Sequence, residues 1–550
     1  MKRTLLLFAV FCIYIVSFGQ SNVSSQNWHW KDYAKDKIHG ISLYQAYQHL
    51  ATINKKPSPI IVAIMDGGVD TNHQEINSKL WINKKEIPYN GVDDDHNGYT
   101  DDLHGWNFLG GKDGRNIDKA DAEKTRVYHQ FKTLYEGKSI DASKLNATQR
   151  NQYEMWKQAA AEIEFSDEEA ANLRYISMAA KAIQKLGNTI ISEMKDASFS
   201  VIALESYQPL GRNTLEAKMA YLRTIKILGV EKEAPYLEII NDLKEYIEGK
   251  EKSAKAKMEA PSPIRAEIVK DNYENFADKF YGNNDITGPN AKHGTHVAGL
   301  VASIPDSNWN VNALYPGIQI MGVRVVPDGD EYDKDIALGI RYAVDNGAKI
   351  INMSFGKSFS PEQIWVDQAI RYAAAKDVLI IHSAGNEYYD LNVKAVYPSP
   401  YSSALNDTAT NVLTVAASSD ESINNTLLTD FSNFGYKIVD VLSPGNKIYS
   451  TLPGKTNHGY LQGTSMAAPI VSHIAAMIRS YYPSLTAVEV KKIIMQSVWK
   501  PMNENTSYEV PEKEETKTLS AIAAAGGIVN AEKAIQMAGK YKPTKLTKTK

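Results

Sequence analysis

The sequence predicts an α/β protein with a doubly wound, mostly parallel sheet, interrupted by a large helical insertion. Short unbroken apolar runs rich in β-branched residues recur at Ile60 to Met65, Ile318 to Val326, Ala348 to Met353, Val378 to His382 and Val412 to Ala417. Such runs read as strands buried on both faces of a parallel sheet. Helical patterns lie between them at Asp335 to Asn346, Pro361 to Ala375, Thr464 to Tyr482 and Thr486 to Ser497. Strand and helix alternating over short connections is the mark of a wound sheet. From about Lys112 to Asn275 the rhythm changes to charged, alanine-rich sequence with helical spacing.

In chain order, Lys2 and Arg3 precede a twelve-residue apolar run, Leu5 to Val16, followed by Ser17, Phe18 and Gly19. This is the pattern of a signal peptide, with cleavage expected after Gly19 and residues 1–19 removed. The run is too short to span a bilayer, which takes roughly 20 apolar residues. The single cysteine, Cys12, lies within it, so the exported protein is expected to hold no disulfide and to rely on packing and metal ions. Residues 20–59 are expected to pack on the catalytic domain. Two later helices carry start signals: Ser360, Pro361 and Gln363 form one capping box, and Thr486 with Glu489 another.

Residues 111–277 read as an inserted helical hairpin or small bundle. Leu173, Ile176, Ala180, Ile183, Gly187, Ile190 and Met194 step by three and four, and Tyr236, Ile240, Leu243 and Ile247 repeat the step. These stripes are read as the insertion's own core, with a partner groove as the lesser reading. Residues 540–550 read as a disordered basic tail.

Composition bounds the partners. With 61 basic and 64 acidic residues and a net charge of −3 in 550 residues, there is no global footprint for nucleic acid or an anionic membrane. The expected partners are protein or peptide substrates, with no nucleic acid and no integral membrane segment.

The chemistry sits at strand ends, where sites assemble in open α/β sheets. Asp66 follows the first apolar run in VAIMDGGVD; His293 stands in KHGTHVAGLVAS; Ser465 opens a helix in GTSMAAPIVSHIAAMI. Asp66 alone reads equally as a turn cap. His293 and His296 are spaced for zinc, but no acidic base lies between them, and His296 falls among apolar residues. Ser465 faces the positive end of a helix dipole and its unpaired N–H groups, a setting that suits a nucleophile generating an oxyanion. Ala467 stands where an α/β-hydrolase elbow needs glycine, and the order Asp, His, Ser differs from the hydrolase order.

With these motifs in this order, the sequence resembles the subtilisin-like serine proteases, the subtilases. NMSFG at Asn352 to Gly356, HSAGNE at His382 to Glu387, Tyr397 with Pro398, and FSNFG at Phe431 to Gly435 also match. The resemblance covers about Trp28 to Asn107 and Asp278 to Ala538, so the catalytic domain is expected in two segments, residues 60–110 and 278–539. It implies a serine endopeptidase with Asp66, His293 and Ser465 as catalytic residues and Asn386 as oxyanion donor. Thr464 stands either as a supporting hydroxyl or as a helix cap. Ser354, Phe355 and Gly356 would form one cleft wall and Ser383, Ala384 and Gly385 the other. Val396 takes the place of a glycine found in members that accept large side chains, implying a shallow primary pocket; packing beneath the cleft is the equal alternative.

The segment VDDDHNGYTDD suggests calcium. Asp93, Asp95, Asn97, Gly98, Tyr99 and Asp101 follow calcium-loop spacing, with His104 where the loop's last ligand, a Glu, would stand and Asp102 as a substitute. The other reading is a solvated acidic turn. No organic cofactor is expected.

Asp66 and His293 lie 227 residues apart, because the insertion falls between them. It is therefore expected to overhang the cleft, gating it or binding substrate or a partner. Two functions follow: an exported serine endopeptidase, or a catalytically silent or autoinhibited regulatory protein on the same scaffold.

Overall fold

The computed structural model describes residues 26–53, 55–230, 232, 234–302 and 317–542. The expected signal segment with Cys12, and the basic tail past residue 542, lie outside them. Seven strands form the central sheet: β1 (Ile60–Asp66), β2 (Gly105–Asn107), β3 (Ile318–Arg324), β4 (Ile350–Met353), β5 (Leu379–Ser383), β6 (Val412–Ser418) and β7 (Val441–Pro444). They run in the order β2-β3-β1-β4-β5-β6-β7, and every pairing is parallel. The five apolar runs become strands because alternate side chains enter two separate cores. Val62, Ile64, Ile320, Ile350 and Leu413 face one; Ala63, Met65, Met321, Ile351 and Val412 face the other.

Twelve helices of ten or more residues are found among the described residues: α1 (Leu43–Thr52), α2 (Glu123–Tyr135), α3 (Ala147–Glu162), α4 (Asp167–Met194), α5 (Arg212–Ile227), α6 (Tyr236–Lys255), α7 (Lys292–Ala302), α8 (Asp333–Asp345), α9 (Gln363–Ala375), α10 (Thr464–Tyr481), α11 (Ala487–Gln496) and α12 (Ala531–Lys540). Helices α1, α7, α10, α11 and α12 cover the first face of the sheet, and α8 and α9 the second. The N-terminal segment is held by α1 packing on α12 and by the Trp28 indole N–H donating to the carbonyls of Asn446 and Lys447.

The box at Thr486 and Glu489 caps α11 with both reciprocal bonds. The one read at Ser360 does not form. Helix α9 starts at Gln363 with no side-chain cap, and the Ser360 hydroxyl donates instead to the Asp333 carboxylate at 2.8 Å. A buried carboxylate is a stronger acceptor than the far end of a capping box.

The insertion leaves and re-enters through one neck, where Asn107 and Asn283 exchange both backbone hydrogen bonds, 2.9 and 3.1 Å. It holds two small cores. One gathers Ile183, Ile190, Tyr221, Tyr236 and Ile239 from α4, α5 and α6. The other joins α2 and α3 and includes Phe359 of the sheet domain. Of the predicted stripe, Ile183, Gly187 and Ile190 are buried, while Leu173, Ile176, Ala180 and Met194 remain half-buried. The insertion is docked by ions as well as by packing. Lys357, with its side chain wholly buried, pairs with Glu123 at 2.5 Å and Asp333 at 2.9 Å. Arg265 forks onto Asp335 and Asp271.

Candidate active site

The carboxyl end of β1, inside the sheet, meets the first turns of α7 and α10. Asp66 is the last residue of β1, buried, and opposite Arg324 in register. Both its carboxylate oxygens lie against His293 Nδ1, at 2.9 and 3.0 Å, and one also accepts the Gly67 N–H at 2.7 Å. This close approach explains Gly294: a Cβ there would sit 2.2 Å from Gly68 O and 2.9 Å from Asp66 Oδ1. The carboxylate fixes Nδ1 as the protonated nitrogen, leaving Nε2 to accept a proton. Burial opposes charging of His293, but Asp66, aided by Glu331, outweighs it and raises the imidazole pKa. The imidazole itself stays 40% exposed, open to a substrate.

His296, one turn on, is not paired with His293. Its Nε2 donates to the carbonyls of Ile448 and Gly459, and burial lowers its pKa to about 3. It is a neutral core histidine.

Ser465 is the second residue of α10, which packs against α7. Its hydroxyl donates to Ser354 O at 3.1 Å, and the Ser354 hydroxyl donates back to Ser465 O at 2.9 Å. No hydrogen bond joins Ser465 Oγ to His293 in this arrangement. The Ser465 N–H belongs to the first helical turn, whose donors have no partner within the helix.

Asn386 is exposed beside the start of α10. Its Oδ1 accepts both the N–H and the hydroxyl of Thr464, at 2.9 and 3.0 Å. That same hydroxyl accepts the Gly385 N–H at 3.0 Å. Thr464 thus orients the amide so that Nδ2 is the end turned away from these bonds, and the helix cap proper is Gly463. Asn433, from the FSNFG segment, clamps the loop by donating to Ala384 O and accepting from the N–H groups of Glu387 and Tyr389.

The two walls lie as neighbouring strand ends. Phe355 is buried in the core with its carbonyl taken by His382 Nε2 at 2.8 Å, while Gly356 is exposed. Ser383 and Ala384 are buried, and Gly385 is half-buried. Val396 packs in the cluster of Ala384 and its Cγ1 stands 3.2 Å from where a Cβ of Gly356 would be, so it spans the two walls. Behind the site, buried Arg324 braces the loop by donating to Gly67 O, Asn107 Oδ1 and Ile117 O. Nothing in the sequence pattern singled out Arg324, which sits inside an apolar run.

The acidic loop gathers differently from its spacing. Carboxylate oxygens of Asp93 and Asp95 converge with Glu86, all within 4.8 Å of one another. Gly98 makes the expected turn at φ +96. Asp101 accepts the N–H groups of Asn90 and Gly91, as Glu86 and Asp93 accept other N–H groups of the loop, but its carboxylate is not among the three that converge. Asp102 takes hydrogen bonds from Asn83, Asn97 and Tyr342. The Asn97 amide is used in the loop itself, and the Tyr99 ring packs among Trp106, Phe108 and Tyr342. Glu86 was missed because it lies outside the acidic run and shares no spacing with it.

Comparison with known proteins gives the family. The model of the Subtilase family matches residues 58–523. Thermitase of Thermoactinomyces vulgaris is 35% identical over 219 residues, covering 38% of this chain and 72% of its own length. The major intracellular serine protease of Bacillus subtilis is 36% identical over 213 residues, covering 38% of this chain and 61% of its own. A solved protease of Pseudoalteromonas arctica PAMC 21717 aligns over 93% of this chain and 97% of its own, at 17% identity and a TM-score of 0.43. Among the described residues no helix is long and apolar enough to cross a membrane. A parallel α/β scaffold, an Asp–His pair at a strand end and a serine at a helix start, under a family match over most of the chain, make this protein a member of the subtilase family of serine endopeptidases.

Proposed function

We propose that Asp66, His293 and Ser465 carry peptide-bond hydrolysis, with Asn386 and the Ser465 N–H as the oxyanion donors. The observation that carries this reading is the Asp66 carboxylate lying 2.9 and 3.0 Å from Nδ1 of His293, which stands on a helix packed against the one whose first turn holds Ser465. Substrate binding turns the Ser465 hydroxyl from Ser354 O to His293. Oγ then bonds to the scissile carbon while its proton passes to Nε2. Asn386 Nδ2 and the Ser465 N–H receive the negative oxygen. The carbon–nitrogen bond breaks as His293 returns the proton to the leaving amine, and water repeats the sequence on the acyl-enzyme. Asp66 accepts the Nδ1 hydrogen bond throughout and stabilises the imidazolium.

A fluorophosphonate probe should label Ser465 in the full chain and fail to label Ser465→Ala. Absence of labelling in the wild type would leave the regulatory, catalytically silent reading. Val396, spanning both walls, makes the primary pocket shallow, for small or medium apolar side chains; a peptide library showing strong preference for Lys, Arg or Phe there would refute this. Export rests on residues 1–19, and N-terminal sequencing of secreted protein tests it. The hard oxygen set of Glu86, Asp93 and Asp95 suits calcium, which would hold the loop and add stability to the folded state. An unchanged melting temperature in excess chelator would remove that idea.

A further inference from the structure

We propose that the insertion completes the leaving side of the substrate cleft, supplying an apolar subsite for the residues that follow the scissile bond. The inference rests on the catalytic reading above. A cavity of about 580 Å³ opens between the insertion and the sheet domain. Ile239, Leu243 and Tyr246 of α6 form one wall, and Tyr460 and Leu461 face them.

Three observations place this cavity against the reacting bond. Its floor includes Lys292, the residue before His293, and Gln462, three residues before Ser465. None of the residues assigned to the two walls and the primary pocket, Ser354 to Gly356, Ser383 to Gly385 or Val396, lines it. A peptide extended across Ser465 and His293 therefore enters it with the part that departs as the amine. The insertion is also tied to this rim, since Lys292 pairs with Glu238 of α6 at 3.2 Å.

The chemistry of the walls selects the occupant. Tyr246 and Tyr460 are 41% and 38% exposed, which is a large aromatic area to leave in water beside a catalytic histidine. The volume falls within the usual range of ligand pockets, roughly 300–1,000 Å³, and accommodates one large or two medium apolar side chains. Glu238, Asp242, Lys292 and Lys447 also line the cavity, and Lys292 and Glu238 are paired with each other, so a charged side chain there would lose hydration against mainly apolar walls. The insertion is thus part of the specificity apparatus, and substrates with Leu, Met or Phe just after the scissile bond are the class it fits.

Internally quenched peptides identical up to the scissile bond, and differing only in the two residues after it, test this on the full chain. Leu or Phe should raise kcat/KM over Gly by about 10-fold or more, the scale on which a hydrophobic pocket discriminates. Tyr246→Ser, at an exposed position, and Leu243→Gln should both draw that ratio toward one, while Leu243→Met keeps it. Equal cleavage of all members by an enzyme that takes fluorophosphonate overturns the inference alone, as does an unchanged ratio in Tyr246→Ser. Failure both to cleave any member and to be labelled at Ser465 overturns the catalytic reading and this inference with it.

Discussion

The sheet domain and the insertion are stabilised in different ways. In the sheet domain, β1, β3, β4, β5 and β6 are buried on both faces, and their two cores gather most of the chain's large apolar side chains. The insertion has only two small cores, with many of its stripe residues half in water. It is fastened to the sheet domain through a neck, through buried ion pairs at Lys357, Glu123 and Asp333, and by Ile117, Ala120, Ile268 and Val269 entering the sheet's second core. A sheet buried on both sides fixes strand ends rigidly; Asp66 stands at one of them, and the helices that carry His293 and Ser465 pack on the same sheet. The insertion's helices carry none of Asp66, His293, Ser465 or Asn386.

The comparison can be pressed at both regions. The largest effect on turnover is expected within the sheet domain. Asn386→Ala should lower kcat by about 10²–10³, roughly 2.7–4 kcal/mol in the barrier, without changing the thermal transition. A loss confined to KM would show that Asn386 serves binding alone. On the same enzyme, the acidic limb of kcat/KM should lie above the ordinary histidine value of 6.5, because the pKa of His293 is raised and the base must be neutral. A limb at or below 6.5 would break the proposed Asp66 role.

Next comes the junction. Lys357→Met leaves Glu123 and Asp333 buried with one partner fewer, and breaking such a pair typically costs about 3–5 kcal/mol, read by denaturant unfolding. The sign with pH follows from Glu123. Burial opposes its ionisation, but Arg126 and Lys357 lower its pKa from 4.5 to about 2. Its contribution is therefore complete above pH 4.5 and lost as the pH falls toward 2. Wild-type stability should drop across that window, and Lys357→Met should drop less. Parallel curves would show that the ions are not what fastens the insertion.

The smallest effect is expected inside the insertion. Gly187→Ala places a Cβ 2.1 Å from the Tyr236 ring, which is stacked on Phe199 at 5.2 Å. Overpacking of this kind costs about 1–3 kcal/mol, against a helix-propensity gain of about 1 kcal/mol. The insertion should lose hydrogen-exchange protection while Ser465 keeps its labelling rate. Equal loosening of β1 and β4 would show that the two regions unfold as one.

The sequence by itself determined five of the seven strands, because a strand buried on both faces is most readily written as an unbroken apolar run; the short β2 and β7 carry no such run and were decided by their pairing with β3 and β6. It also determined Asp66, His293, Ser465 and Asn386 as candidates, since short glycine-rich motifs place each at a strand end or helix start. Only the tertiary structure decided what depends on partners far along the chain. Thr464 turns out to orient Asn386, 78 residues away. Ser360 abandons its capping box for Asp333. Glu86 joins Asp93 and Asp95 while Asp101 and Asp102 turn to other hydrogen bonds. Local spacing encodes which face a residue takes. It does not encode which of several polar groups wins a buried hydrogen bond, because that competition is settled by distance and desolvation once the chain has closed on itself.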